Sequence, residues 1–294
     1  FDGWNVWDAS CTFANDITVS FGETMKIKRD PAMAGPLVID RRALEACDDK
    51  YPCECRHFEV VGVLELTSVS LTGGFYGNKA TTTSMANGAA GSVMVSGGGS
   101  VIFTSCALFG NQADQGGAVF VRDSSTATFI DSTLTGNEAR GYGGGGAVKV
   151  WEGASAIFTG STLTGNKASD SLDSYPYSNI AKGGAVIVSG AMSSATFQQC
   201  LLNGNTANDG AAYYVEDTAL SITIINSNPS SQTDPIRRSP SKLLSCDTGI
   251  KTACSSSIAT TCVPAKSPQL GVACQFDSSQ ISIPNAICTD FIFP

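Results

Sequence analysis

Short runs in which hydrophobic and polar residues alternate occupy the middle of the chain. Val119 and Val121 flank one intervening residue, and Val148 and Val150 do the same further along. Alternation with a period of two, rich in β-branched and aromatic residues, is typical of β-strands. Ser, Gly, Thr and Asp separate the runs and favour turns. The pattern predicts short strands with these interior positions: Val119, Val121, Phe129 and Leu134; Val148, Val150, Phe158 and Leu163; Val186, Val188, Phe197 and Leu202.

Two motifs recur along the same region. One is an asparagine preceded by glycine and followed two residues later by alanine; the other is Gly-Gly-Ala-Val, at 116–119, 145–148 and 183–186. The interval from the alanine of the second motif to the next asparagine is 19 residues from 118 to 137, 19 from 147 to 166, and 20 from 185 to 205. The interval from asparagine to the next alanine varies, from 7 residues (111 to 118) to 19 (166 to 185). The recurring asparagines are Asn78, Asn111, Asn137, Asn166 and Asn205.

One constant segment and one variable loop per repeat predict a solenoid, because insertions collect where they do not disturb the stack. With three short strands per repeat, the predicted fold is an all-β parallel β-helix whose coils rise about 4.8 Å each. The asparagines are then expected to form a ladder of side-chain amides within one turn. We expect an arm at residues 1–15, a β-helix with irregular first coils at 16–226, an insertion at 41–57, and a cysteine-rich tail at 227–294.

Charge and composition narrow the classes of partner. The formal net charge is −8 and the pI about 4.6, which disfavours nucleic acid and anionic lipid as partners. No apolar run approaches the roughly 20 residues that span a bilayer. We predict no cofactor and no membrane span.

Eleven cysteines are present, and nine of them lie outside the repeats. Such a concentration predicts disulfides and a secreted, extracellular or cell-surface location. The first residue is Phe1, as expected if a secretion signal has been removed. Because nine is an odd number, one cysteine is left over when the others pair. The nine are Cys11, Cys47, Cys53, Cys55, Cys246, Cys254, Cys262, Cys274 and Cys288.

The two remaining cysteines, Cys106 and Cys200, fall in one repeat position together with Gly73, Ser132 and Ser161. Three coil steps, about 14 Å, separate the two. A disulfide requires Cα atoms within about 7 Å. We therefore predict two buried free thiols.

The motifs resemble the Gly-Gly-Ala-Val/Ile/Leu and Phe-x-x-Asn repeats of the chlamydial polymorphic outer-membrane proteins and of secreted or surface proteins of protists and algae. The resemblance covers roughly residues 56–226. Phe75-Tyr76-Gly77-Asn78 fits the asparagine motif, whereas the other four copies carry Leu where the family prefers Phe. The resemblance implies a right-handed β-helix with an adhesive or structural surface role, and no catalytic residues.

One column of side chains is expected to point away from the interior. Lys149 lies between the interior residues Val148 and Val150, so its repeat equivalents should face outward as well. We expect this mostly apolar column to be an exposed site of contact, or else to be covered by the protein's own loop or tail. The contact stripe comprises Met94, Phe120, Lys149, Ile187 and Tyr214, with Trp151 beside it.

The sequence gives weaker support for a catalytic site or a metal site. Parallel β-helices often act on polysaccharides, and such hydrolases need clustered carboxylates. The one histidine is His57. Acidic residues occur near one turn, but other coils carry no acidic residue at that position, so the acidic column is not continuous; its members are Asp123, Glu152, Glu216 and Asp217. Cys47, Cys53, Cys55 and His57 could supply zinc ligands, but disulfides suit a secreted chain better. We predict no catalytic residue and no metal.

The sequence thus predicts a non-catalytic extracellular structural protein that assembles with copies of itself, for example into filaments. The alternatives are a surface adhesin or glycan-binding β-helix, and a polysaccharide lyase or hydrolase. The expected partners are further copies of the chain, with glycans as the second class.

Overall fold

The structure is a computed structural model that describes residues 4–7, 16–41, 53–77, 89–141, 144–169, 181–216, 219, 221–225 and 227, together with the strands 236–238, 244–246, 261–264 and 272–275. Within these residues every regular element is a strand, and no helix occurs. The strands form four sheets, A to D, whose neighbours pair in parallel except at β5–β9, β28–β30 and β29–β30, with bounds given below.

Sheets A and C are the longest. Sheet A runs β1 (Trp4–Trp7), β3 (Thr24–Arg29), β7 (Val63–Thr67), β11 (Ser100–Thr104), β15 (Thr126–Ile130), β19 (Ser155–Thr159), β23 (Ser194–Gln198), β26 (Ser221–Ile225), β28 (Leu244–Cys246), β30 (Val272–Gln275) and β29 (Thr261–Pro264). Sheet C runs β2 (Ile17–Val19), β6 (Phe58–Val60), β10 (Val93–Val95), β14 (Val119–Val121), β18 (Val148–Val150), β22 (Val186–Val188), β25 (Tyr213–Val215) and β27 (Ile236–Arg238).

Sheets B and D are shorter. Sheet B runs β4 (Leu37–Asp40), β8 (Val69–Thr72), β12 (Ala107–Phe109), β16 (Thr133–Thr135), β20 (Thr162–Thr164) and β24 (Leu201–Asn203). Sheet D runs β5 (Cys53–Cys55), β9 (Phe75–Gly77), β13 (Gln112–Ala113), β17 (Glu138–Ala139) and β21 (Lys167–Ala168).

The chain passes from sheet C to A, then to B and D, and returns to C one strand further along. This order fits a parallel β-helix or solenoid, as the repeat spacing predicts. The coils from β2 to β21 have four strands each rather than the predicted three, whereas the coil of β22, β23 and β24 has three. In β13, β17 and β21 the fourth strand is only two residues long and contains the alanine after the motif asparagine, so the sequence pattern was too short to reveal it.

Stacked side chains of identical type fill the interior. Phe103, Phe129, Phe158 and Phe197 lie one above another, with ring centroids 4.9, 4.6 and 4.7 Å apart. Val119, Val148 and Val186 form a parallel column on sheet C, and Leu108, Leu134, Leu163 and Leu202 form one on sheet B. All belong to a single buried cluster. The register therefore brings like residues into contact in consecutive coils.

The Gly-Gly-Ala motif returns the chain from sheet D to sheet C. A Cβ on Gly146 would lie 2.0 Å from the carbonyl oxygen of Gly184, and one on Gly117 would lie 2.2 Å from that of Gly146. Consecutive coils touch through backbone here, so any side chain would force them apart. The alanines that follow, Ala118, Ala147 and Ala185, are fully buried.

The sheets extend beyond residue 226. β27 pairs in parallel with β25 in sheet C, and β28 pairs in parallel with β26 in sheet A. Two antiparallel strands, β30 and β29, then complete sheet A, and Cys262 lies opposite Cys274 in their register. The C-terminal segment thus contributes strands to the same stack.

Candidate functional site

The asparagine column is a continuous hydrogen-bonded ladder. The side-chain amide of Asn137 donates to Asn166 Oδ1 at 2.9 Å and to the Leu108 carbonyl oxygen at 2.9 Å. Its own Oδ1 accepts from the Asn111 side chain at 3.0 Å and from the Asn111 backbone N–H at 3.1 Å. Both hydrogens and both lone pairs of this amide are used. Asn166 repeats the arrangement with Asn205 and Leu134.

Asn78 was predicted to be the first member of this ladder. Gln112 pairs with Phe75, so the residue level with Asn111 is Gly74. The Gly74 N–H donates to Asn111 Oδ1 at 3.0 Å, and the ladder stops there because glycine has no amide side chain. Asn78 itself lies outside the described residues.

A second ladder lies in the turn between sheets A and B. The Cys106 N–H donates to Ser132 Oγ at 3.1 Å, the Ser132 N–H donates to Ser161 Oγ at 3.1 Å, and the Cys200 N–H donates to Ser227 Oγ at 2.9 Å. Cys106 and Cys200 are free and buried. Two serine-bearing coils separate them, as the spacing predicts. The preceding member is Val69, since Ser70 pairs with Ala107, so the placement of Gly73 in this column was wrong.

Both thiols are held in their protonated form. Burial raises the pKa of Cys106 to about 11 and also raises the pKa of Cys200. Each thiol replaces a serine hydroxyl, because Cys106 Sγ donates to the Leu66 carbonyl at 3.3 Å while Ser132 Oγ donates to the equivalent Phe103 carbonyl at 3.2 Å. A thiol in this setting is a poor nucleophile and metal ligand.

The contact stripe is buried, so the expectation of an exposed apolar surface was wrong. Met94 is 4% exposed, Phe120 and Ile187 are 0% exposed, and Lys149 and Tyr214 are 8% exposed. The stripe does face away from the main interior. A second apolar cluster forms on it instead, with Ala89, Ala90, Met94 and Phe120 buried and Trp151 packed against them.

The glycine-rich returns cover the stripe. Their backbones bond to one another between coils, for example from Gly116 N–H to the Gly144 carbonyl at 3.1 Å and from Gly145 N–H to the Lys182 carbonyl at 2.9 Å. Gly145 lies so close to sheet C that an added Cβ would be 2.9 Å from Ile187 Cγ2. The chain's own loops therefore occupy the surface that the sequence left open, which was the alternative raised for this column.

Lys149 is a buried cation inside this layer. Its ammonium donates to Gln115 Oε1 at 2.7 Å and lies 5.7 Å from the Phe120 ring centroid and 5.9 Å from that of Trp151. Burial lowers the pKa of Lys149 to about 8, although the charge of Glu216 opposes this shift. An amide oxygen and two aromatic faces stabilise the cation incompletely.

The rim of this layer carries the partly exposed polar groups. Trp151 is half-buried. Lys182 Nζ lies 4.8 Å from the Tyr214 ring centroid and 3.5 Å from Glu216 Oε1. This rim combines aromatic faces, a lysine and a carboxylate, which are groups that contact sugars and other polyhydroxylated ligands.

His57 is neutral and fully engaged. Its Nε2 donates to the carbonyl oxygens of Ile39 and Thr72 at 3.0 and 3.1 Å, so its Nδ1 accepts from Ser92 Oγ at 3.0 Å. Burial lowers the pKa of His57 to about 4. Neither ring nitrogen is open to a metal or to a substrate proton, so the alternative zinc set with Cys47, Cys53 and Cys55 lacks its histidine.

A polar cluster near His57 was not found from the sequence. Arg41 is fully buried and its guanidinium pairs with Asp16 Oδ1 at 3.1 Å. Arg56 pairs with Asp16 Oδ2 at 3.2 Å and lies 4.3 Å above the Tyr76 ring. The three charges come from separate elements, and no motif in the sequence connects them. The cluster ties the first coils together.

The described acidic candidates for catalysis lie in the turns that follow strands of sheet C. Asp123 and Glu152 lie in the turn after sheet C with φ of 56° and 50°, and Arg122 pairs with Asp123 at 3.2 Å. Glu216 pairs with Lys182, and Asp217 lies outside the described residues. In the part of the chain that the structure describes, no group of three or more His, Cys, Asp or Glu could hold a metal ion.

Of the cysteines predicted to pair, Cys55 is disulfide-bonded. Cys53, Cys246, Cys262 and Cys274 lie in strands β5, β28, β29 and β30. The remaining four, Cys11, Cys47, Cys254 and Cys288, lie outside the described residues.

No protein-family model, curated protein or solved structure matches this chain. Across the described ranges, no helix has the length and apolar character needed to cross a membrane.

Proposed function

We propose that this chain is a non-catalytic extracellular structural protein, a right-handed parallel β-helix that self-assembles. The observation that carries the proposal is the constant register: like residues stack in several buried columns, from the Phe103–Phe197 rings to the asparagine ladder. A stack of this kind is a rod in which each coil contacts mainly its neighbours. Rods with a repeating surface are suited to building larger structures.

The buried ionisable groups support a structural role. His57 bonds two carbonyls and a serine, Lys149 bonds Gln115, and Arg41 pairs with Asp16. Each of these groups is held by a partner that fixes a coil or a loop. The disulfide at Cys55 is consistent with an oxidising, extracellular compartment. The relation to the polymorphic outer-membrane repeat proteins is part of the proposal, and it rests on the Gly-Gly-Ala and asparagine motifs.

Light scattering of the full-length protein over a range of concentrations tests self-assembly. We expect a mass of several chains that increases with concentration. A mass of one chain, 30.4 kDa, at the highest concentration would refute the proposal and favour the second candidate.

The second candidate is a glycan-binding adhesin that uses the rim around Trp151, Lys182 and Glu216. The half-buried indole beside charged groups is the observation that favours it. Binding of glycans by the monomer on an array, lost in Trp151→Ala and retained in Thr135→Ala on sheet B, would support this function.

A further inference from the structure

The outer face of sheet A is a regular array of uncharged side chains. Strands β11, β15, β19 and β23 pair in register, and in each the second and fourth residues are buried while the first, third and fifth point outward. Three outward columns result. They are Ser100, Thr126, Ser155 and Ser194; Ile102, Thr128, Ile157 and Thr196; and Thr104, Ile130, Thr159 and Gln198.

This array is rigid. Apart from Gln198, every member of the second and third columns is Thr or Ile, and β-branched side chains are restricted at χ1. The alternate residues of the same strands are buried, among them the stacked rings of Phe103, Phe129, Phe158 and Phe197. The array therefore loses little conformational entropy when another surface packs on it.

This face differs from neighbouring parts of the surface because its side chains are uncharged. The chain carries a net charge of −8, so most approaches of two copies bring like charges together. Towards the start of sheet A the outward positions are charged, with Lys26 paired to Glu65 at 3.1 Å. On sheet D, Glu138 pairs with Lys167 at 3.1 Å and with Arg140 at 2.7 Å. The four-strand array has no such groups.

We propose that sheet A of one copy packs face to face on sheet A of a second copy through these three columns. The proposal rests on the self-assembly proposed above and names its surface. The columns repeat at the strand spacing of about 4.8 Å. A second copy has the same spacing, because it is the same chain. Stacked sheets of this kind pack about 10 Å apart with interdigitated side chains.

Periodicity also explains how such a contact extends. The four coils of the array present the same columns, so two copies can pack with an offset of whole coils. An offset pair leaves part of each face open for the next copy, and repeated offsets produce a filament rather than a closed pair. The hydroxyl columns remain satisfied at each offset, because a hydroxyl can both donate and accept. Thr126 Oγ1 and Ser155 Oγ already bond along the column at 3.3 Å.

The other walls are less suitable. The outer side of sheet C is covered by the glycine-rich returns, and sheet D carries ion pairs. Sheet B is also uncharged over β12, β16 and β20, but it presents two outward columns instead of three, and the large Phe109 interrupts one of them. Sheet B therefore provides the matched control.

Charge exchange tests the proposal. Two full-length variants are made, Thr128→Lys with Thr196→Lys, and Thr128→Glu with Thr196→Glu, and sedimentation velocity measures association. Each variant alone should need at least about a tenfold higher concentration to associate than the unmodified chain, because like charges then face each other. An equimolar mixture of the two should recover association, since opposite charges then meet. Misfolding could not give this recovery, and thermal unfolding confirms that each variant is folded.

The control is Thr133→Lys with Thr162→Lys on sheet B, which should associate like the unmodified chain. If the sheet A variants associate normally, or if the sheet B control loses association equally, the sheet A contact is wrong while self-assembly stands. If the mixture recovers nothing, the face-to-face arrangement is likewise wrong. If the unmodified chain never associates, the proposed function and the sheet A contact both fail.

Discussion

At the scale of single residues, stability depends on buried polar side chains whose hydrogen bonds are all made within the stack. Asn137 is the central case, because its amide uses both donors and both acceptor positions. The carbonyls and N–H groups that it bonds are buried with it. Removing the amide leaves these groups without partners, and that cost exceeds the value of the bonds themselves.

Asn137→Ala should lower the free energy of unfolding by roughly 1–3 kcal/mol for each buried partner left unsatisfied. Asn137→Asp should be worse at neutral pH, because a carboxylate cannot donate to Leu108 O or to Asn166 Oδ1. Chemical denaturation measures both changes. Thr135→Ala, on the exposed side of the neighbouring strand, is the control, and equal stability of all three variants would contradict the ladder.

Cys106→Ser should be nearly neutral or slightly stabilising, within about 1 kcal/mol. Serine already occupies this column at 132 and 161 and makes the same bonds there. Cys106→Val should destabilise the chain, because it leaves the Leu66 carbonyl without its donor. In the native unmodified chain, Cys106 and Cys200 should resist thiol-labelling reagents and should react only after unfolding. Rapid labelling of either in the folded state would contradict their burial.

The sequence predicted most of these residues because each ladder repeats at the coil interval. At the start of the ladder, the residue level with Asn111 is Gly74, which lies four residues before the motif match at Asn78. A motif identifies a kind of turn, but register is set by hydrogen bonds to the next coil. The Asp16–Arg41–Arg56 cluster was not found because tertiary contact alone brings it together.

At the scale of elements, the contact stripe shows what strand periodicity leaves open. Alternation correctly placed Lys149 on the side of β18 opposite to Val148 and Val150. It could not show what covers that side. The cover comes from the Gly-Gly-Ala returns, whose backbones approach sheet C closely because glycine has no side chain. Lys149 thus indicated which way its column of side chains points, but not whether that side of the sheet is exposed to solvent.

Lys149→Met should raise the free energy of unfolding at pH 7, by up to about 3 kcal/mol. The folded-state pKa of Lys149, about 8, lies below the ordinary value of 10.5. Below pH 8 the ammonium is charged in both states, so its burial costs the folded state the full amount. Between pH 8 and 10.5 the folded state loses the proton first and that cost fades. Denaturation at pH 7 and pH 10 should show a gain that is larger at pH 7; a loss of stability at both would contradict this.

At the scale of the whole molecule, the interval between motifs was enough to predict a stacked all-β architecture. One fixed segment and one variable loop per repeat have few other structural solutions. The ends were harder to predict, because the strands beyond residue 226 lack the motifs and join the sheets through pairing alone. The contact stripe was also predicted wrongly as an exposed surface, because the glycine-rich returns cover it.

Negative-stain electron microscopy of the full-length chain tests most directly whether the protein is a structural element that self-assembles. We expect filaments many coils longer than one molecule, with the solenoids packed side by side. Thr128→Lys with Thr196→Lys should remove these filaments, and the sheet B control should retain them. Isolated particles of single-molecule size at every concentration would contradict self-assembly.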